Sequence, residues 1–171
     1  MRRLFAILSL TLLAACSSQP PAPEQNGAGV EDRAGRDVLN KVGSDGMYSP
    51  ERLKDPKSQL FKREVYFDLD SYTIRPEFKS LIEAHAKFLQ NNPKYKMLIQ
   101  GNADERGSRE YNLALGQKRA EAVKKALQLL GANEAQVEAV SLGKEKPRCT
   151  ESTEECWAQN RRADILYTGE F

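Results

Sequence analysis

The chain has 171 residues, and its 26 basic and 24 acidic side chains leave a formal net charge of +2. That length accommodates one domain of ordinary size with extensions. The near balance of charge does not favour a protein that follows nucleic-acid phosphates, so the nature of any partner has to come from local chemistry.

The first residues have the anatomy of an export signal. Arg2 and Arg3 give a charged start, and the apolar run after them (LFAILSLTLL, residues 4–13) is too short to cross about 30 Å of hydrocarbon as a helix. Small residues complete the pattern. We therefore expect residues 1–15 to be a signal peptide that is removed on export.

The cleavage region reads LAAC and resembles the lipobox of bacterial lipoproteins. By that resemblance Cys16 becomes the mature N-terminus and carries a covalent lipid, and the lack of an aspartate directly after it implies sorting to the outer membrane. An ordinary secretory signal with a chance cysteine is the alternative. Residues 16–59 are rich in Pro, Gly, Ala and charged side chains and show no apolar period, so we expect a disordered tether that leads to a domain over residues 60–171.

The first part of this domain reads as a strand followed by a helix. Residues 60–70 contain EVYFDLD and predict a strand in which Asp68 and Asp70 share a face. The helix has Thr73 as a candidate cap and Pro76 in its first turn, and it stops at the Asn-Asn-Pro sequence of residues 91–93. Its apolar stripe consists of Phe78, Leu81, Ile82, His85, Phe88 and Leu89.

A second strand, residues 95–100, leads directly into a polar loop. Gly101 and Gly107 bound this loop, and glycine there supplies backbone conformations that other residues avoid. The next helix begins between Ser108 and Asn112, either of which can cap it. It continues to Leu130, with Gly131 at its end, and its predicted buried stripe is Tyr111, Leu115, Ala122, Val123, Ala126, Leu127 and Leu130.

Arg119 falls on the buried stripe of this second helix. A buried arginine needs a partner for its charge and its donors. The alternative is that Arg119 snorkels to the surface, or pairs with a carboxylate for purely structural reasons.

Residues 137–142 and 163–167 predict the third and fourth strands. The polar segment between them, residues 143–162, is a long loop with a short helical piece around residues 154–159. This order of elements predicts an α+β fold of the βαβαββ type, a sandwich in which the helices pack on one face of a mixed four-stranded sheet.

Three cysteines are an odd number for an exported protein. Assigning Cys16 to the lipid leaves Cys149 and Cys156 to form a disulfide in an oxidising compartment. Closing so small a loop contributes roughly 2 kcal/mol in the chain-entropy model. Zinc is the competing use of cysteine, but a sequence with one histidine and no CxxC pair does not provide a four-ligand site of the usual spacing, so we expect no metal.

The sequence carries no GxSxG elbow, no GxxxxGK[ST] loop, no GxGxxG and no HExxH. His85 lies in an apolar stripe without an evident nucleophile, so packing is favoured over catalysis. Carboxylate pairs such as Asp68 with Asp70, or Asp104 with Glu105, could serve a glycosidase, although adjacent acids are more often solvated or cap loops. A binding domain without a cofactor, rather than an enzyme, is the more economical interpretation.

Four blocks in order, FDLDSY, GNADERGSREYNLALGQKRA, SLGKEKP and NRRADILY, together resemble the OmpA-like peptidoglycan-binding domain family, and in detail its peptidoglycan-associated lipoproteins. The resemblance covers about residues 64–168. It implies noncovalent recognition of meso-diaminopimelate in an uncrosslinked peptidoglycan stem peptide.

This ligand presents an ammonium and a carboxylate on one carbon, so its site needs an anion and a cation at a fixed separation. By the resemblance, Asp104 would take the ammonium and Arg119 would grip the carboxylate, in bidentate fashion. The remaining pocket residues implied by the same motifs are Leu69, Asp70, Arg106 and Leu115.

The resemblance also implies a place in the cell envelope. The lipid on Cys16 would hold the outer membrane, the domain would face the periplasm, and the tether would let it bind the cell wall. The implied protein partner is TolB, in a Tol-Pal system that supports envelope integrity and constriction during cell division. The alternatives are an OmpA-like wall-binding lipoprotein outside the Tol system and, from a different class, a peptidoglycan hydrolase.

Overall fold

The structure is a computed structural model, and it describes residues 46–168 and residue 170. The predicted signal peptide, the lipid site at Cys16 and the tether up to residue 45 lie outside the described residues. Within the described part, none of the helices combines the length and the hydrophobicity that a membrane span requires.

Four strands form one sheet. They are β1 (Glu64–Tyr66), β2 (Met97–Asn102), β3 (Val137–Gly143) and β4 (Arg162–Tyr167), and their order across the sheet is β1-β4-β2-β3. Strand β2 is parallel to β3, whereas β4 runs antiparallel to both of its neighbours. The prediction of a mixed four-stranded sheet is confirmed.

Three α-helices connect the strands. Helix α1 (Lys79–Asn91) lies between β1 and β2, α2 (Arg109–Leu129) between β2 and β3, and the short α3 (Glu154–Asn160) between β3 and β4. Ser108 is the cap of α2, since its side chain accepts a hydrogen bond from the backbone N–H of Tyr111. The predicted βαβαββ order is confirmed, with α3 where a short helical piece was expected.

The core lies between the sheet and the two long helices. Five members of the predicted α1 stripe are buried, and Phe78 packs against them. On α2 the stripe is buried at Leu115, Val123 and Leu127, but Tyr111 and Leu130 are exposed, contrary to prediction. Tyr111 lies in the first turn of α2, where its hydroxyl bonds the Asp70 carboxylate, and Leu130 follows the last residue of the helix.

The first strand is shorter than predicted. It ends at Tyr66, and the residues before it, Gln59–Phe61, form a 3₁₀ turn. Asp70 adopts a left-handed backbone with φ of 53°, so the chain turns there and the prediction that Asp68 and Asp70 share a strand face is wrong. The alternating residue types continue past the strand, which is why the pattern overestimates its length.

The folded domain begins before residue 60. Leu53, in the 3₁₀ turn Pro50–Leu53, is only 8% exposed and belongs to the same core cluster as Leu60. The predicted boundary is therefore too late. Isolated apolar residues in a polar, proline-containing stretch give no periodic signal, so sequence patterning does not reveal this contribution.

Two further predictions are confirmed. Cys149 and Cys156 form a disulfide. His85 is fully buried, where its Nε2–H donates to the carbonyl of Lys62 at 2.9 Å and its Nδ1 accepts from the hydroxyl of Tyr167 at 2.6 Å. The histidine is thus a packing residue whose tautomer is set by these two neighbours.

Candidate functional site

The loop that follows β2, residues 103–107, lies at the end of the sheet beside the first turn of α2. The backbone N–H of Ala103 donates to the carbonyl of Gly143 at 2.8 Å and so holds the loop to the end of β3. Gly107 has a positive φ of 90°, as a turn glycine should. Gly101 instead lies within β2, where an added Cβ would stand 1.8 Å from the carbonyl oxygen of Gly116 on α2. The predicted turn role is therefore wrong for Gly101, which serves close backbone packing.

Asp104 is a buried carboxylate in this loop, with 5% of its surface exposed. Its Oδ1 accepts hydrogen bonds from the backbone N–H and the Nε of Arg106, at 3.1 and 3.3 Å. Its Oδ2 accepts from Nη2 of Arg106 at 2.7 Å and from Nη1 of Arg161 at 3.3 Å. Four donors therefore satisfy a carboxylate that has about four acceptor positions.

The acidic groups of this loop are held in their ionised form. Burial by itself raises the pKa of Asp104, but the hydrogen bonds from Arg106 and Arg161 and the charge of Arg106 outweigh it, so the pKa lies below its ordinary value. Hydrogen bonds from Ser152 and Trp157 lower the pKa of the neighbouring Glu105. A glycosidase acid requires a raised pKa, so this carboxylate pair is poorly suited to that role.

Arg119 has no exposed surface, and its guanidinium donates to three backbone carbonyls. Its Nε donates to Ser71 at 2.8 Å, its Nη1 to Asn102 at 2.8 Å and its Nη2 to Asp68 at 3.1 Å. Because a guanidinium has five N–H groups, one remains on each Nη beyond these bonds. The arginine therefore connects the end of β2 to the segment that follows β1.

The electrostatic partner of Arg119 is Asp104, although the two are not in contact. Burial lowers the pKa of Arg119 to about 10, and the negative charge of Asp104 opposes that shift. The guanidinium stays charged at neutral pH. Among the described residues, no carboxylate forms an ion pair with Arg119 within 4.0 Å. Asp104 forms its ion pairs with Arg106 and Arg161.

The segment after β1, residues 68–71, forms the second wall of the site. Asp70 has its left-handed backbone here, and its carboxylate accepts a hydrogen bond from the hydroxyl of Tyr111. Leu69 is 58% exposed. Within the described part of the chain, the backbone N–H groups of Leu69 and Asp70 have no acceptor. A turn with a left-handed residue and free N–H groups is the kind of concavity that binds anions.

The predicted site residues thus occupy two adjacent segments and one helix face. Arg106 is partly exposed and covers Asp104, and Leu115 lies one helical turn before Arg119, outside the main hydrophobic core. The structure brings Asp104 and Arg106 into contact. It joins Arg119 to the 68–71 segment rather than to Asp104.

Sequence analysis did not identify the residues that hold the 103–107 loop from the side of α3. Arg161 bonds Asp104 across 57 positions of sequence, and Trp157 donates from Nε1 to Glu105 at 2.9 Å across 52. The guanidinium of Arg106 lies 4.0 Å from the centre of the Trp157 ring. Arg161 does belong to the NRRADILY block, so the resemblance marked its position without indicating its role.

The described residues contain no group of three or more His, Cys, Asp or Glu side chains placed to hold a metal ion. The ionised groups of the site are instead satisfied by one another and by backbone atoms. What the site offers a ligand is a nearly buried carboxylate, the positive charge of a buried guanidinium and free backbone N–H groups.

Comparison with known proteins finds a matching family model and similar proteins of that family. A model of the OmpA family matches residues 66–161. The chain is 40% identical over 163 residues to the peptidoglycan-associated lipoprotein of Pseudomonas putida, which covers 94% of each protein.

Solved structures show the same similarity in three dimensions. The peptidoglycan-associated lipoprotein from Burkholderia pseudomallei superposes with a TM-score of 0.67 at 59% identity, covering 68% of this chain and 98% of that one. The cell wall anchor of the T6SS from Pseudomonas aeruginosa superposes with a TM-score of 0.50 at 29% identity, covering 58% and 72%. The matched family region, residues 66–161, contains both walls of the site and Arg119.

Proposed function

The chain belongs to the OmpA family and, within it, to the peptidoglycan-associated lipoproteins, and we propose that it is an outer-membrane lipoprotein that binds peptidoglycan noncovalently. The protein then tethers the outer membrane to the cell wall. Its lipid-bearing Cys16 and the tether provide the membrane end, and the domain provides the wall end.

The ligand of the domain is meso-diaminopimelate in an uncrosslinked stem peptide. Its free end carries an ammonium and a carboxylate on one carbon. Asp104 receives the ammonium, and the free N–H groups of Leu69 and Asp70 receive the carboxylate. Arg119 has no exposed surface, so it attracts this carboxylate through its positive charge rather than by the direct grip that the resemblance implied. A single observation supports this assignment. Arg119 donates to the carbonyl of Asn102, two residues before Asp104, and to two carbonyls of the 68–71 segment. One side chain therefore fixes the distance between the 103–107 loop and the 68–71 segment, the two walls of the site.

Arg106 sets how strongly the ammonium binds. The Asp104 carboxylate already accepts four hydrogen bonds, so an incoming ammonium has to replace a donor. The guanidinium of Arg106 is more exposed than that of Arg161 and is the donor that can move. Replacing one cation by another gains little net energy, so binding to one stem peptide is modest, and many copies anchored in one membrane together hold it to the wall.

The protein acts within the Tol-Pal system, with TolB as a protein partner, and so supports envelope integrity and constriction during division. This part of the proposal follows from membership of the peptidoglycan-associated lipoproteins. An OmpA-like lipoprotein outside the Tol system is the alternative, and the two are distinguished by whether TolB is retained on the purified protein.

The experiment for wall binding is sedimentation with purified sacculi. The full-length protein should sediment with sacculi that contain diaminopimelate, and Asp104→Asn should remain in the supernatant. Glu83→Gln, which alters an exposed carboxylate paired with Lys87 on α1, is the matched control and should sediment like the unmodified protein. Equal sedimentation of all three proteins would contradict the proposal, and release of soluble muropeptides would instead indicate a hydrolase.

A further inference from the structure

The segment closed by the disulfide is built to hold α3 in place. Cys156 lies in the first turn of α3, and Cys149 lies before the helix. The side chain of Asn160, at the end of α3, accepts hydrogen bonds from the backbone N–H groups of Arg148 and Cys149 and donates to the carbonyl of Cys149 at 2.7 Å. The disulfide and this amide thus fix both ends of a seven-residue helix. A helix of this length is not stable by itself, so its position depends on these constraints.

Helix α3 directs two side chains of the 103–107 loop. The Trp157 ring lies beneath the Arg106 guanidinium, and Nε1 of Trp157 donates to the Glu105 carboxylate at 2.9 Å. Ser152, inside the disulfide loop, donates to the same Glu105 oxygen at 2.7 Å.

Glu154 adds an electrostatic contact from the same helix. Its carboxylate lies 2.6 Å from Nη2 of Arg161 and 3.6 Å from Nη1 of Arg106. Both arginines that hold Asp104 are therefore themselves held by α3.

The rest of the domain positions the backbone of the loop but not these side chains. Lys144 donates to the carbonyls of Glu105 and Gly107 at 3.0 and 2.7 Å, and Asn112 donates to the carbonyl of Arg106 at 2.8 Å. If α3 moves, the loop keeps its backbone path while the Arg106 guanidinium loses its aromatic support. A positioned guanidinium beside Asp104 is what the ligand ammonium has to replace.

We propose that Trp157 is a positioning residue for ligand binding, and that the Cys149–Cys156 disulfide acts on the site through it by holding α3 against the 103–107 loop. The inference rests on the proposed function, because it concerns the same ligand. The disulfide is then part of the binding apparatus as well as a local contribution to stability.

The test is a double-mutant cycle with a soluble stem peptide that ends in free meso-diaminopimelate. Four full-length proteins are titrated by calorimetry: unmodified, Trp157→Ala, Cys149→Ser/Cys156→Ser, and the triple variant. Because both changes loosen the Arg106 guanidinium that the ligand ammonium has to replace, we expect Trp157→Ala and the double cysteine variant each to tighten binding about fivefold to tenfold, and the triple variant to bind no more tightly than either. Equal or weaker affinity of the variants, or gains that simply multiply in the triple variant, would overturn the inference.

Two controls separate positioning from general destabilisation. All titrations are made at a temperature at which circular dichroism shows every variant to be folded. Ile82→Val, a core change on α1 that costs about 1 kcal/mol, should leave the affinity unchanged. If the unmodified protein does not bind the peptide at all, the proposed function fails; if it binds and the cycle shows no coupling, only this inference fails.

Discussion

Gly101 of β2 and Gly116 of α2 are in direct backbone contact. A Cβ added at Gly101 would lie 1.8 Å from the carbonyl oxygen of Gly116, and one added at Gly116 would lie 2.3 Å from the hydroxyl oxygen of Ser141. This contact places α2 against the end of the sheet. Arg119, less than one helical turn beyond Gly116, can therefore reach the carbonyl of Asn102.

We predict that Gly101→Ala destabilises the domain by at least about 3 kcal/mol, because the new methyl group meets backbone rather than a movable side chain. Urea denaturation measures the effect. Gly46→Ala is the matched control, since nothing lies within 4 Å of its added Cβ, and it should change the free energy of unfolding by less than about 0.5 kcal/mol. If the two variants had similar free energies of unfolding, β2 and α2 could move apart at Gly101 without loss of stability, and the prediction would be wrong.

This pair also shows where sequence reasoning succeeds and where it stops. Hydrophobic periodicity identifies the strands and both long helices, because one buried face imposes a period on the residue types. It does not distinguish a glycine needed for a turn from one needed for close packing, since both read as an isolated Gly. The left-handed turn at Asp70 is hidden in the same way, because alternating residues continue through it.

The site was predicted in part. The family motifs mark Asp104 and Arg119, but the groups that hold them come from distant parts of the chain, as Arg161 does for Asp104. Such pairs arise from the fold and leave no local pattern. For Arg119, the sequence indicated that a buried guanidinium needs partners, and the structure supplies three backbone carbonyls that no residue pattern reveals.

Arg119 should matter for stability as well as for binding. Arg119→Leu removes the donors of three carbonyls in the core of the site, and we expect it to lower the free energy of unfolding by about 3 kcal/mol or more. Arg119→Lys keeps the charge but loses the planar set of N–H donors, so its free energy of unfolding should lie between those of the unmodified protein and Arg119→Leu.

Chemical denaturation of these variants is compared with that of Arg109→Leu. Arg109 is the first residue of α2, and its side chain is 73% exposed, so its loss should have little effect. If Arg119→Leu were as stable as Arg109→Leu, the carbonyl bonds would not contribute to the fold.

The domain should lose stability in mild acid through His85. Burial lowers the pKa of this histidine to about 4, whereas the unfolded chain has an ordinary value near 6.5. The unfolded state therefore binds the proton first as the pH falls. The contribution of the neutral imidazole to the free energy of unfolding is fully present above about pH 6.5. It decreases by about 3 kcal/mol as the pH falls to 4.

His85→Gln provides the comparison, because glutamine does not titrate. The free energy of unfolding is measured for both proteins between pH 7.5 and pH 4. The unmodified protein should be the more stable at neutral pH, and its advantage should shrink as the pH falls. Parallel curves would mean that protonation of His85 is not linked to unfolding.

In the proposed function the site recognises the zwitterionic end of diaminopimelate, with Asp104 on the ammonium and the opposite wall on the carboxylate. The most direct measurement is the affinity of the full-length protein for two soluble stem peptides that differ at one residue. One carries meso-diaminopimelate, and the other carries lysine, which keeps the side-chain ammonium and lacks the carboxylate. We predict that calorimetry will show binding of the diaminopimelate peptide and at least tenfold weaker binding of the lysine peptide. Equal affinity for the two peptides would show that the site does not recognise the carboxylate.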